Sequence, residues 1–346
     1  MEQEPMMWRE ILEQPAALKR CLEQNRATTQ KIAGEVQARG LNQIVIAARG
    51  TSDHAAIYGK YVLELLTGIP VSLAAPSILT MYHAAIRVSG ALVIGISQSG
   101  ATNDVTELLE EANRQGALTV GVSNTEDSPM LAVAGEHLLC SAGEEVSVAA
   151  TKTFTTEMAA LLMLAATIAG RQDILEELSG VPAALEATFA GADALKSAAD
   201  RLRDMQNAFV LSRGTNYAVA MESALKLQET TYIPAKAFAI SDFYHGPIAM
   251  VEKDTPVIVY GMKGPSLQEA QELLDKLEGR EAAILVISND AGLCARGEMS
   301  FFIPFEGSDF VTPFCTAAAA QMLACRIALA RGNNPDHPRG LHKITG

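Results

Sequence analysis

IAARGTSDHAA, residues 46–56, returns as VLSRGTNYAVA at residues 210–220, placing Arg49-Gly50-Thr51 on Arg213-Gly214-Thr215 at an offset of 164. The same offset carries VIGISQSG (93–100) onto VIVYGMKG (257–264), and one step more carries Val122-Ser123-Asn124 onto Ile287-Ser288-Asn289. Three matches in order at nearly one offset indicate two copies of one unit. With only two repeats, this is a duplication and not a solenoid. Each matched stretch is a β-branched run ending in Gly, Ser or Thr and leading into an Ala/Leu/Glu stretch of helical period, the pattern of parallel sheets covered by helices. Candidate strands are 43–47, 71–74, 92–96, 118–122 and 137–140 in the first copy, and 208–211, 257–260, 284–287 and 301–304 in the second. Helical segments are expected near 151–169 and 187–205. The predicted fold class is α/β, two tandem parallel sheets flanked by helices. The predicted divisions are an N-terminal helical segment (1–34), a first domain (35–180), a second (195–332) and a C-terminal tail (333–346).

Composition supports this class. A chain of 346 residues exceeds the usual single domain, so two units are the natural prior. Hydrophobic residues make up 49% and aromatics only 5%, which suits units built from Ala, Leu, Val and Ile better than an aromatic-rich sandwich. The net charge of -13 repels nucleic-acid phosphates over most of the surface, so no nucleic-acid partner is expected and an anionic ligand must be held locally. The cysteines at 21, 140, 294, 315 and 325 are odd in number and widely spaced, arguing against a disulfide framework or a zinc knuckle. Histidines 54, 83, 137, 337 and 342 show no paired spacing, and no metal is expected. The acidic opening MEQEPMMW and the shortness of the apolar run Met158–Ala169 lead to the expectation of a cytoplasmic enzyme with no membrane partner.

The stretch SQSGATND follows strand VIGI, and in a parallel sheet ligands gather where a strand turns into a helix N-terminus. Ser97, Gln98 and Ser99 offer short donors, Gly100 permits a tight turn, and Thr102 opens a helix with unpaired amides. The second copy has Gly261-Met262-Lys263-Gly264 here, so one phosphate pocket per chain is expected. Neither nucleotide fingerprint is present and no cofactor is expected. By itself the motif reads equally well as a polar turn.

SQSGATND, EEVSVAATKTFTTE (144–157), MESALKLQETTYIPAKAF (221–238), HGPIAM (245–250) and the terminal LHKITG together resemble the isomerase half of glucosamine-6-phosphate synthase, from about residue 8 to the end. The family is that of tandem sugar isomerase (SIS) domains. The resemblance implies flavodoxin-like domains and a homodimer with shared active sites. It implies that Ser52, Ser97, Gln98, Ser99 and Thr102 hold a sugar phosphate while Val148 and Ala149 line the sugar chain. It further implies that Glu229 shuttles a proton between C1 and C2, that His245, lent by the neighbouring subunit, assists ring opening, that Lys226 stabilises the enediol or enolamine, and that Lys343 lies by the carbonyl. The sequence departs from the synthase in three ways. About forty residues precede the first strand with no cysteine after Met1, Arg49 replaces a cysteine, and His342 replaces a small residue before the terminal lysine. A glutamine-fed amination is therefore not expected.

Without the resemblance, Glu222, Lys226 and Glu229, spaced i, i+4 and i+7, read as a solvated ion-pair ladder. With it, one carboxylate that reaches both C1 and C2 accounts for aldose–ketose conversion. His245 precedes Gly246-Pro247 and is expected on a loop. Lys152 and Lys236 read equally well as structural. The leading expectation is an isomerising deaminase that converts glucosamine 6-phosphate to fructose 6-phosphate and ammonia. The alternatives are a related aldose–ketose phosphosugar isomerase or fructosamine-phosphate deglycase and, in another class, a non-catalytic sugar-phosphate sensor.

Overall fold

In the computed structural model, which describes residues 4–343, two five-stranded sheets are parallel at every pairing. The first contains β1 (Ile44–Ala47), β2 (Val71–Leu73), β3 (Leu92–Ile96), β4 (Leu118–Ser123) and β5 (Glu136–Leu139). The second contains β6 (Ala208–Ser212), β7 (Ala235–Ala239), β8 (Pro256–Tyr260), β9 (Ala283–Ser288) and β10 (Met299–Phe302). Strand order is β2-β1-β3-β4-β5 in one and, read from the matching edge, β7-β6-β8-β9-β10 in the other. This is the doubly wound flavodoxin-like order. The register repeats as well: Ala47 faces Gly95 as Leu211 faces Val259, and Gly95 faces Gly121 as Val259 faces Val286. β1, β3, β4, β6 and β9 are buried along their whole length, which explains why they read as unbroken apolar runs.

Two elements differ from expectation. β7, Ala-Lys-Ala-Phe-Ala, was not among the candidate strands because it lacks β-branched residues; it is an edge strand whose middle is only partly covered, and pairing of Ala208–Ser212 with Ala235–Ala239 overrides its weak propensity. The helical segment expected at 187–205 is two helices, Gln172–Ala190 and Ala194–Leu202. Hydrogen bonds from the amides of Gly191 and Ala192 to Thr188 and Phe189 turn the chain between them.

The described chain forms two compact units. The first-sheet unit comprises Ala16–Glu145, Lys152–Ser179 and residues 342–343; the second-sheet unit comprises residues 4–15, Val146–Thr151 and Gly180–Leu341. The N-terminal region is therefore divided. Helix Met6–Leu12 packs on helix Thr312–Ala330 of the second-sheet unit, with the Arg326 guanidinium 4.1 Å from the Trp8 ring centre. Nearly all of helix Gln14–Arg39 belongs to the first-sheet unit.

Each sheet has its own core. Val45, Val93, Val105, Leu109 and Met130 pack together in the first unit, and Phe209, Phe243, Leu273 and Val286 in the second, where the Phe209 and Phe243 rings meet edge-on at 5.4 Å. Helix Thr312–Ala330 is long and apolar enough to cross a membrane by length and composition alone, but it is 83% buried inside the protein. It packs along helix Asn216–Thr231. The first-sheet unit repeats this arrangement with helices Lys152–Ile168 and Thr51–Thr67.

Candidate functional site

The switch point of the first sheet lies between β1 and β3, and residues 97–102 sit at its carboxyl edge. The Ser97 hydroxyl lies 2.9 Å from the Thr102 hydroxyl and accepts the Gly100 amide at 3.1 Å, while the Ser99 hydroxyl accepts the Ala101 amide at 3.3 Å. The Gln98 carbonyl is anchored by the Asn124 amide at 3.1 Å and the Ser123 hydroxyl at 3.3 Å. Gly100 has φ +62°, and a Cβ there would lie 2.1 Å from the Ser128 hydroxyl, so the turn requires glycine. Thr102 is the N-cap of helix Asn103–Arg114, yet its side chain makes no capping bond. Three hydroxyls and a helix N-terminus thus converge on one turn, an arrangement suited to a tetrahedral oxyanion.

Ser52 opens the adjoining helix, and its buried hydroxyl donates to Glu157 Oε1 at 2.8 Å. Arg49, at the end of β1, pairs with Asp104 in the first turn of helix Asn103–Arg114.

The EEVSVAATKTFTTE stretch is built around Glu145, whose side chain is wholly buried. Glu145 accepts the Thr153 amide at 3.1 Å and the Thr153 hydroxyl at 2.7 Å, which places a carboxylate at the positive end of helix Lys152–Ile168. Lys343 from the tail reaches the same carboxylate at 2.8 Å. Lys152 is buried and donates to the Glu144 carbonyl at 2.5 Å. The last residues of the LHKITG motif, 344–346, lie outside the described residues.

In the second-sheet unit, helix Asn216–Thr231 carries a charge cluster that is not solvated. Lys226 is fully buried and Glu222 is 1% exposed, whereas Glu229 keeps 21% of its side chain in contact with solvent. The ammonium lies 3.2 Å from Glu222 and 2.5 Å from Glu229. Burial by itself would push the Lys226 pKa down, but the two carboxylates outweigh it and the net displacement is upward. Lys226 is therefore a fixed positive charge and not a base.

His245 is exposed on the turn between Ile240–Phe243 and the 3-10 turn Pro247–Met250. Its amide bonds the Asp242 carbonyl at 3.0 Å. Val148 and Ala149 lie on the strap Val146–Thr151, which Glu10 fastens by accepting the amides of Val146 and Ser147 and the Ser147 hydroxyl. Val148 is half-buried and Ala149 fully buried.

The second sheet's own switch point is occupied differently. A Cβ on Gly264 would lie 2.4 Å from Asp309 Oδ1, an oxygen that is buried without a hydrogen-bond partner among the described residues, and burial pushes the Asp309 carboxyl upward. The protein's own acid thus fills the space above this turn.

The structure gathers Ser97, Gln98, Ser99 and Thr102 into one turn and pairs Lys226 with Glu229. Ser52 is turned towards Glu157, Lys343 towards Glu145, and His245 and the Val148–Ala149 strap stand on separate elements. Sequence reasoning did not single out Glu10, Asp104, Glu145 or Glu157. Glu145 and Glu157 fall inside a motif already noticed, where two acids flanking a Ser/Thr-rich apolar run were the available signal. Nothing near Glu10 distinguishes it from an ordinary surface acid of a helix.

The SIS domain signature matches residues 39–167 and 201–331. The chain is 33% identical over 347 residues to the isomerizing glutamine–fructose-6-phosphate aminotransferase of Thermococcus kodakarensis, covering 97% of this chain but 57% of that protein. Among solved structures, the C-terminal domain of glucosamine-fructose-6-phosphate aminotransferase from Francisella tularensis superposes with a TM-score of 0.89 at 27% identity, covering 97% of this chain and 99% of that one. Glucosamine-6-phosphate deaminase from Thermotoga maritima shares the fold, with a TM-score of 0.79 at 23% identity and 98% of each chain covered.

Proposed function

Because the chain belongs to the SIS domain family, we propose that it is a phosphosugar enzyme of the aldose–ketose type, and specifically an isomerising deaminase that takes glucosamine 6-phosphate to fructose 6-phosphate and ammonia. The observation that carries the reading is the Glu229 carboxylate, open on one side and held 2.5 Å from a fully buried ammonium on the other. Lys226 stays protonated and Glu222 is buried, so Glu229 is the member of the cluster placed to meet a substrate.

In this reading the hydroxyls of Ser97, Ser99 and Thr102 hold the phosphate with Gln98, and Ser52 joins them once its proton leaves Glu157. Val148 and Ala149 line the sugar chain. After ring opening, assisted by His245, Glu229 removes the C2 proton to give an enolamine and delivers a proton to C1. The resulting C2 imine adds water and releases ammonia, leaving the ketose. Lys226 supplies positive charge to the enolamine, and Lys343 serves the carbonyl. An exposed His245 suits a residue offered to a second copy of the chain, and a homodimer is part of the proposal.

A second reading, plain aldose–ketose isomerisation, uses the same proton transfer without the imine. Ammonia and fructose 6-phosphate measured together after incubation with glucosamine 6-phosphate separate the two. The deaminase reading expects equal amounts of both. Glu229→Gln should lower turnover by about 100-fold or more, the scale of a lost acid–base group, while fructose 6-phosphate binding persists. Interconversion of hexose phosphates without ammonia would transfer the assignment to the second reading, and undiminished turnover in Glu229→Gln would remove that residue from the chemistry.

A further inference from the structure

We propose that Arg49 is an additional ligand for the phosphate of the substrate, held in reserve by Asp104; the inference rests on the phosphosugar reading. Ala47 and Gly95 are partners in the register of β1 and β3, so Arg49 and Ser97, each two residues further on, leave the sheet at the same level across the switch point. The guanidinium reaches Asp104, two residues beyond Thr102, and both Nε and Nη2 converge on the single oxygen Oδ2. Nη1 has no partner among the described residues, and the side chain is 50% exposed. A guanidinium has five N–H donors in a planar fork, and here one flank of it makes no hydrogen bond among the described residues, although its charge also acts on Asp53.

The second copy supplies the contrast. Arg213, the repeat partner of Arg49, is tied on both flanks, by Nη1 to the Ser241 hydroxyl and by Nε to Glu269 Oε2 at 3.2 Å. Glu269 occupies the first turn of helix Leu267–Glu278, as Asp104 does in its own helix. The arginine–acid pair is thus inherited in both copies. It is fully tied where Asp309 fills the turn, and half-tied where the turn is lined by Ser97, Ser99 and Thr102.

Charge gives the half-tied arginine a task. The hydroxyls of the turn are neutral donors, the chain carries -13 overall, and Asp53 and Asp104 both lie in first turns beside the turn. A phosphate dianion placed there meets two neighbouring acids, and a guanidinium offering its free edge is the group suited to offset them. Phosphate and Asp104 then share the guanidinium.

A staple and a ligand predict opposite effects of removing the acid. Binding of fructose 6-phosphate, fructose and inorganic phosphate is measured by calorimetry on wild type, Arg49→Met and Asp104→Asn, with a thermal melt of each. The expected result is that Arg49→Met weakens fructose 6-phosphate and inorganic phosphate by about tenfold or more, the scale of a lost charge-assisted hydrogen bond, and leaves fructose unchanged. Asp104→Asn frees the guanidinium and should keep or tighten phosphate binding. Unaltered binding in Arg49→Met, or equal weakening and equal melting loss in both variants, overturns the inference while the phosphosugar reading stands. A wild type that binds inorganic phosphate through Arg49 but no hexose phosphate defeats the phosphosugar reading and retains the anion ligand. A wild type that binds neither defeats both.

Discussion

Lys226 holds a charge cluster together in the interior of the second-sheet unit. A lone buried ammonium would lose its proton, and the buried Glu222 and half-open Glu229 carboxylates would repel each other; together the three form a compensated cluster. Lys226→Met leaves Glu222 buried beside an apolar side chain and should cost about 3–5 kcal/mol, visible as a lower melting temperature. Pairing it with Glu222→Met removes that buried carboxylate as well and should recover most of the loss. The sign with pH follows from the upward displacement of Lys226. Its stabilising contribution is complete below the unfolded lysine pKa of about 10.4 and is lost as pH rises past it. The melting gap between wild type and Lys226→Met should therefore hold between about pH 6 and 9 and narrow above about 10.4. A gap that opens with rising alkalinity would contradict the charge assignment. The spacing of Glu222, Lys226 and Glu229 was legible in the sequence; their burial was not. Periodicity says which residues share a helix face but not what covers it, and here helix Thr312–Ala330 packs along this one.

At the scale of elements, the turn 97–102 is a unit with a single shape. Gly100 fixes its backbone, Gln98 hangs it from Ser123 and Asn124, and Ser97 and Thr102 face each other across it. Ser97→Ala with Thr102→Ala should weaken fructose 6-phosphate far more than fructose in a direct binding measurement, since in the proposed function only the phosphate uses these donors. Equal weakening would make the turn a scaffold for the sugar. This turn could be placed from sequence because strand, glycine and N-cap signals coincide within eight residues. β7 could not, because Ala235–Ala239 is a strand only by virtue of its pairing with β6. The break near Gly191 was hidden by continuous helical composition on both sides. Glu145 shows the same limit in the site: an acid that binds Thr153 and Lys343 has no local mark separating it from Glu144, which is exposed.

Across the whole molecule, each of the two sheets of identical order has its own packed core, and all five cysteines are buried. Burial pushes Cys21, Cys315 and Cys325 up to about 12 and Cys294 to about 11, and raises Cys140 as well. A thiol reagent at about pH 8, where an unperturbed cysteine near 8.5 already ionises in part, should label none of the five in the folded protein and all five in denaturant. Rapid labelling of one thiol without unfolding would mark a local opening in that core. The repeated register has a further consequence, for construction and not for catalysis. Since Leu211 and Val259 stand to each other as Ala47 and Gly95 do, the turn at Gly261–Gly264 is a socket of the same make as the turn at Ser97–Gly100, and Asp309 is its plug. Drawing the plug and moulding Ser-Gln-Ser-Gly into the socket would give the second half the anion cradle proposed for the first, assembled from spare parts the chain already encodes.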